Sequence, residues 1–415
     1  MTRPISRPRA LFLAPLLFVL GCPAPSEVPD GPPEDLDLIL SEDRPSKRSE
    51  VLAVADEASN SIVVFGGNQG VIVSQIPRAD YLDDTWVFEP GFGWTEVEGD
   101  GPSARGRYAT AYDRVGHRML LFGGRYRPTG ETGDYSLRRD LWAFDFTTRT
   151  WSELDAGDEG PSGRYYPVAA WDEEGAALYL YGGAVNRDAL IIQPSSELWR
   201  WTDGGGWEEL STSGDAPSSR VFFGSDWDAQ RRELLLFAGQ IGDFQSLAYN
   251  DLYALSLPSG AWRELHPGGD GAPFTRMHPA IRVDAARDRL LLFGGHTDIG
   301  DNNDLRAFPL SDDSWEEVYI ADEVMGGLGC NGNASEVPQS FVEQDLSAPE
   351  RRHRGLHAIL WDSLFVFGGM HSECSDHLDD TWRFDLATSR WHELIPARSG
   401  ESCLRRGEDC QCLCN

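Results

Sequence analysis

The sequence predicts an all-β fold, a six-bladed β-propeller of four-stranded blades. Three observations carry the prediction. Small-residue doublets recur at Gly66-Gly67, Gly123-Gly124, Gly182-Gly183, Ala238-Gly239, Gly294-Gly295 and Gly368-Gly369, at spacings of 57, 59, 56, 56 and 74 residues. A Pro-x-x-Arg stretch stands upstream of each, ending at Arg48, Arg105, Arg164, Arg220, Arg276 and Arg352. Downstream of each, an acidic residue opens a short run with an aromatic two residues later in five of the six units, and a further Trp follows at 94, 151, 207, 262, 315 and 391. Self-similarity of this kind, in phase six times, is the signature of a repeat architecture.

Each element of the unit follows from its residues. The runs that the doublets close, 62–65, 119–122, 178–181, 234–237, 290–293 and 364–367, are short, apolar and rich in aromatic or branched side chains, as buried strands are. A glycine pair at the strand end permits positive φ and close backbone approach. The segments Asp84-Thr85-Trp86, Asp140-Leu141-Trp142, Glu197-Leu198-Trp199, Asp251-Leu252-Tyr253, Asp304-Leu305-Arg306 and Asp380-Thr381-Trp382 begin the third strand, and the later Trp opens the fourth. A lone sheet of this kind leaves both faces wet, whereas six arranged radially bury each face against a neighbour. The repeated Trp are therefore assigned to packing between blades.

Arg near the first strand, a glycine doublet closing the second, an aromatic in the third and Trp opening the fourth together resemble the kelch repeat, over residues 45–394. Departures are Ala238, Arg306 and units longer than the usual period of roughly 50 residues. The resemblance implies blades at about 45–98, 102–155, 161–211, 217–266, 273–319 and 349–395, within a propeller spanning 45–398. Kelch-like propellers include a copper oxidase group resembling galactose oxidase, which needs two His and two Tyr, one Tyr joined to a Cys. Cys374 is the only Cys within the blades, and no Tyr-Cys-His arrangement stands near it, so that oxidase chemistry is not expected.

The N-terminus reads as an address. Arg3, Arg7 and Arg9, an apolar run over 10–20 and Gly21 form the zones of an export signal, too short to span a membrane. Val19-Leu20-Gly21-Cys22 resembles the bacterial lipobox, which implies a lipoprotein signal peptide over 1–21 and acylation of Cys22. The expected location is the cell envelope, at the outer membrane or cell surface, with a Pro- and acid-rich tether over 22–44 whose last part, near 36–40, is poised to dock on the propeller edge. The formal charge of −31 repels phosphate backbones and excludes nucleic acid as an expected partner. Six further cysteines, Cys330, Cys374, Cys403, Cys410, Cys412 and Cys414, are disulfide candidates in an oxidising compartment, the last four in a tail over 399–415; a Cys-rich metal clip is the alternative.

Recognition is expected on the long loops after the doublets (68–80, 125–138, 184–195, 240–249, 296–303 and 370–378) and on the connector 319–348, because loops on a rigid scaffold carry binding. The repeated Arg is expected to bind carbonyls or loop acids within the fold. Two residues beyond it the side chain varies: Glu50, Arg107, Tyr166, Phe222, His278 and Arg354. Strand alternation would put these on the same side as the Arg, at the channel mouth, where Arg107, Tyr166, His278 and Arg354 are candidate ligand-binding residues and packing around water is the plainer reading. His296, Asp298 and Asp301, with His371, Glu373, Asp376 and His377, form a metal-capable set in which His296, His371 and His377 would be ligands; no cofactor beyond such a metal is expected. The functional expectation is a non-enzymatic, lipid-anchored envelope scaffold binding a surface protein or glycan. An envelope enzyme acting on sugars or small alcohols through that metal is the alternative.

Overall fold

The computed structural model describes residue 39 and residues 43–70, 72–73, 76–131, 133–188, 192–241, 248–298, 300–320, 347–371 and 376–398. All seven cysteines fall outside these residues, as do the signal, lipidation, disulfide and tail segments. No helix among the described residues is long and apolar enough to cross a membrane.

Six sheets, each built on four antiparallel strands in simple up-and-down order, form a six-bladed propeller. Their first strands are Ala53–Asp56, Ala109–Asp113, Val168–Asp172, Gly224–Asp228, Ala280–Asp284 and Leu356–Leu360. Each touches the first strand of the next blade, and the sixth touches the first, so these strands encircle the axis. The apolar runs ahead of the doublets become the second strands, buried along nearly their whole length.

The recurring Trp of the fourth strand is the inter-blade wedge. Its ring packs on the aromatic that ends the preceding blade's second strand: Trp151 on Phe65 at 5.3 Å between centroids, Trp207 on Phe122 at 5.2 Å, Trp262 on Tyr181 at 5.1 Å, Trp315 on Phe237 at 4.9 Å and Trp391 on Phe293 at 5.2 Å. Trp94 on Phe367 at 4.9 Å closes the circle. Two indoles find a hydroxyl across the interface, Trp94 donating to Thr381 and Trp151 to Thr85. At the same repeat position the other blades carry Leu141, Leu198, Leu252 and Leu305, and the indole N–H groups of Trp207, Trp262, Trp315 and Trp391 make no hydrogen bond among the described residues.

The doublets bind one blade to the next through backbone. The second glycine N–H donates to the carbonyl of the following blade's Arg: Gly67 to Arg105, Gly124 to Arg164, Gly239 to Arg276 and Gly295 to Arg352. Gly369 donates to Arg48 at 2.9 Å and joins the last blade to the first. A Cβ on Gly368 would stand 2.8 Å from the Arg48 carbonyl, and φ there is +61°, so glycine is required twice over.

The N-terminal strap completes the closure. Ile39 donates its N–H to the Leu394 carbonyl at 2.8 Å on the outer strand of the sixth blade, and its side chain packs on a cluster shared by Val64, Phe88, Trp94, Phe365 and Leu394. Arg44 follows with a hydrogen bond to the Pro396 carbonyl and an ion pair to Asp379 at 3.5 Å.

Candidate functional site

The site is built on the segment leading into each blade. The repeated Arg is buried and points into its own blade. Arg48 grips both oxygens of Asp84 at 2.6 and 2.7 Å and donates to the Gly66 carbonyl at 2.9 Å. Arg105 with Asp140, Arg164 with Glu197, Arg220 with Asp251, Arg276 with Asp304 and Arg352 with Asp380 repeat the contact. The third-strand aromatic supports the same carboxylate, its indole N–H reaching Asp84, Asp140, Glu197 and Asp380 in four blades. Arg306, a departure in the sequence pattern, supplies that donor to Asp304 through Nε at 3.0 Å.

Two residues later the backbone turns left-handed in every blade, with φ of +63° at Glu50, +59° at Arg107, +56° at Tyr166, +64° at Phe222, +54° at His278 and +56° at Arg354. L-residues adopt this conformation at a cost of roughly 1–2 kcal/mol each. The turn aligns the segments so that backbone hydrogen bonds pass around the axis: Arg107 N–H to Glu50 O, Tyr166 N–H to Arg107 O, His278 N–H to Phe222 O and Glu50 N–H to Arg354 O. This corrects the alternation argument. The segment precedes the first strand, and the positive φ breaks the period of two, so Arg and ring residue point in different directions: the one into its blade, the other to the axis.

The ring side chains divide into a charged arc and an aromatic arc. Glu50 is hydrogen-bonded by Arg107, lies 3.3 Å from Arg125 and 4.0 Å from Arg354, and accepts from the Tyr81 hydroxyl at 3.4 Å. Burial pushes its carboxyl up, but Arg107, Arg125 and Arg354 together hold it well below the usual carboxylate range. Arg107 stacks over Tyr166 at 4.5 Å and Arg125 over Tyr135 at 3.9 Å. On the other arc Phe222 stands 5.1 Å from Tyr166 and 4.4 Å from His278. Burial first, then the charges of Arg354, His353 and Arg107, lower the His278 pKa well below its ordinary value, so the imidazole is neutral at pH 7. Burial likewise lowers Arg354, whose side chain keeps 21 % exposure. The Tyr166 hydroxyl and the Nε atoms of Arg107, Arg125 and Arg354 are buried without a hydrogen bond among the described residues. Behind the ring lies a cavity of about 110 Å³, reached by Ser225, Arg282 and His357 of the inner strands and by Leu52 just ahead of one. The mouth is thus a nearly filled collar over a small void.

The four ligand-binding candidates Arg107, Tyr166, His278 and Arg354 therefore meet at one collar. A second tier, missed in the sequence, is set by the residue after each doublet. The lead-in chain pairs with it in each blade, through the contacts Ser49–Asn68, Gly106–Arg125, Tyr165–Ala184, Val221–Gln240, Met277–His296 and His353–Met370. This tier brings Arg125 to Glu50 and His353 to His296. The varied residues directly after each Arg and each doublet were the available signal.

The metal candidates do not converge as expected. The fifth doublet is followed by a tight hairpin in place of a solvated loop, since Arg289–Thr297 and Gly300–Pro309 keep pairing past the glycines with His296 opposite Asp301. Asp301 Oδ1 lies 2.8 Å from His296 Nδ1 and 2.9 Å from Nδ1 of His353, a residue outside the expected set. His371 and His377 are buried on a short hairpin of the sixth blade, and neither joins the His296–Asp301–His353 group. Asp298 is exposed, and Glu373 lies outside the described residues.

Comparison with known proteins agrees with the repeat fold. The model of the KLHDC2/KLHL20/DRC7 Kelch-repeats domain matches residues 37–200 and 168–415. The chain is 24 % identical over 353 residues to a Drosophila melanogaster protein called leucine-zipper-like transcriptional regulator 1 homolog, covering 83 % of this chain and 31 % of that protein. It is 24 % identical over 302 residues to human Kelch domain-containing protein 10, covering 68 % of this chain and 60 % of that one. The chain thus spans less than two thirds of the length of these curated relatives.

Proposed function

The chain belongs to the kelch-repeat family, and from that premise we propose that it is a non-enzymatic interaction scaffold. Its doublet-loop face meets a surface protein or glycan, and its axial collar takes an acidic group of that partner. One observation carries the reading: in a chain of net charge −31, three arginines, Arg107, Arg125 and Arg354, gather at the axis around the single carboxylate of Glu50. Buried guanidinium groups in excess of their acids favour an anionic guest, because a carboxylate or sulfate supplies the charge-assisted hydrogen bonds that the fold leaves over. The Tyr166 hydroxyl adds a neutral donor beside them. The −31 field argues against nucleic acid.

Binding to paired arrays tests this reading. Peptides and glycans bearing carboxylates should be retained, and the same molecules as amides or neutral sugars should not. Preference for the neutral member of the pairs would contradict it.

The second part of the proposal is the address. Val19-Leu20-Gly21-Cys22 supports export and lipid attachment at Cys22, which would hold the propeller at the cell envelope through the tether. Cys22→Ala should move the protein from the membrane fraction to the soluble fraction. An unchanged partition would contradict the anchor.

A further inference from the structure

We propose that His296, Asp301 and His353 form a binding site for a divalent transition ion of the zinc class at the junction of the fifth and sixth blades. Their ligand atoms lie within 4.8 Å of one another. Two imidazole nitrogens face one carboxylate oxygen at 2.8 and 2.9 Å. Adjacent ligands of a tetrahedral ion with bonds of about 2.0–2.1 Å stand about 3.3 Å apart, so a shift of roughly half an ångström opens the set around an ion. Two neutral imidazoles and one carboxylate are a borderline donor set, suited to zinc, cobalt or ferrous iron and unsuited to magnesium or calcium.

The surroundings fit the same reading. Asp301 is fully buried, and His353 is 4 % exposed. The His296 side chain keeps 32 % exposure, which leaves a route for the ion and a position open to solvent. Ligation through Nδ1 requires each imidazole to carry its proton on Nε2, so ion uptake moves the two protons that would otherwise face Asp301. The set is assembled only when the two blades are in contact, since His296 and Asp301 belong to the fifth and His353 leads into the sixth. A bound ion would clip those blades together. It would also stand beside the collar, because the His353 and His278 rings are 5.8 Å apart.

Cobalt(II) titration of the full-length chain, followed by absorbance, tests the site with the metal alone. Uptake of one ion with a visible ligand-field band of tetrahedral intensity is expected. The band should weaken, with affinity lower by roughly tenfold or more, in both His353→Gln and the rim variant His296→Gln, and it should persist in His392→Gln, whose side chain is exposed elsewhere. Cobalt bound by the cysteine-rich tail would instead give thiolate charge transfer in the near ultraviolet. Binding with only that signature, absence of stoichiometric binding, or equal binding by wild type and both site variants would overturn the proposal.

Discussion

Arg276 and Asp304 have side chains 0 % and 2 % exposed, so removing the arginine leaves a buried carboxylate with only the single Arg306 contact beside it. Arg276→Met should lower unfolding free energy by about 3 kcal/mol in urea denaturation, the low end for a broken buried pair because Arg306 remains. Arg164→Met should cost less, since its partner Glu197 keeps 41 % exposure and remains hydrated when alone. Equal losses would show that pairing within the blade does not set the effect. Acid sensitivity has a second residue-level source. Burial first, then Arg282 and Arg352, lower the His357 pKa well below its ordinary value. The unfolded imidazole therefore binds a proton from about pH 6.5 downward while the folded one does not, and stability falls as pH falls through that range. His357→Phe should lose roughly 1 kcal/mol less than wild type between pH 6.5 and 5.5. Parallel pH curves would remove His357 from the account.

At the scale of elements, the strap and the collar show what repetition makes readable and what it hides. Ile39 attaches the strap by a single described backbone hydrogen bond, so Ile39→Pro, which lacks the N–H, should cost about 1 kcal/mol and raise amide exchange along 390–395. Unchanged exchange there would show that the strap does not hold the outer strand. Doublets, arginines and tryptophans were legible because each does one job six times, and the ring residues were legible by position because they vary at a fixed offset. Their orientation was not, since a left-handed residue such as Tyr166 carries no glycine to announce it. His353 was hidden for a different reason. It sits between Arg352 and Arg354, and only the bridge to Met370 and the tightened hairpin at His296–Asp301 bring it to its partners. Arg125 likewise reaches Glu50 across a blade boundary that no local pattern describes.

For the whole molecule, closure turns six weakly individual sheets into one rigid collar. Gly369 on Arg48, Trp94 on Phe367 and Glu50 on Arg354 join the ends of the chain with the same contacts that join neighbours elsewhere. Closure also brings Arg354 of the last blade beside Glu50 of the first and Arg107 of the second, so the positive centre exists only in the complete ring. The net charge of −31 opposes polyanions, and the proposed reading has a single acidic group on a fitted partner reach the axis. Arg354 is the most accessible of the three arginines and the least committed to Glu50. The most direct test is the dissociation constant of a carboxylate-bearing array ligand for wild type and for Arg354→Ala, read by calorimetry at low and moderate salt. A loss of roughly tenfold or more in the variant, with weaker salt dependence than wild type, is the predicted result. Equal affinity and equal salt dependence would contradict an acid-binding collar.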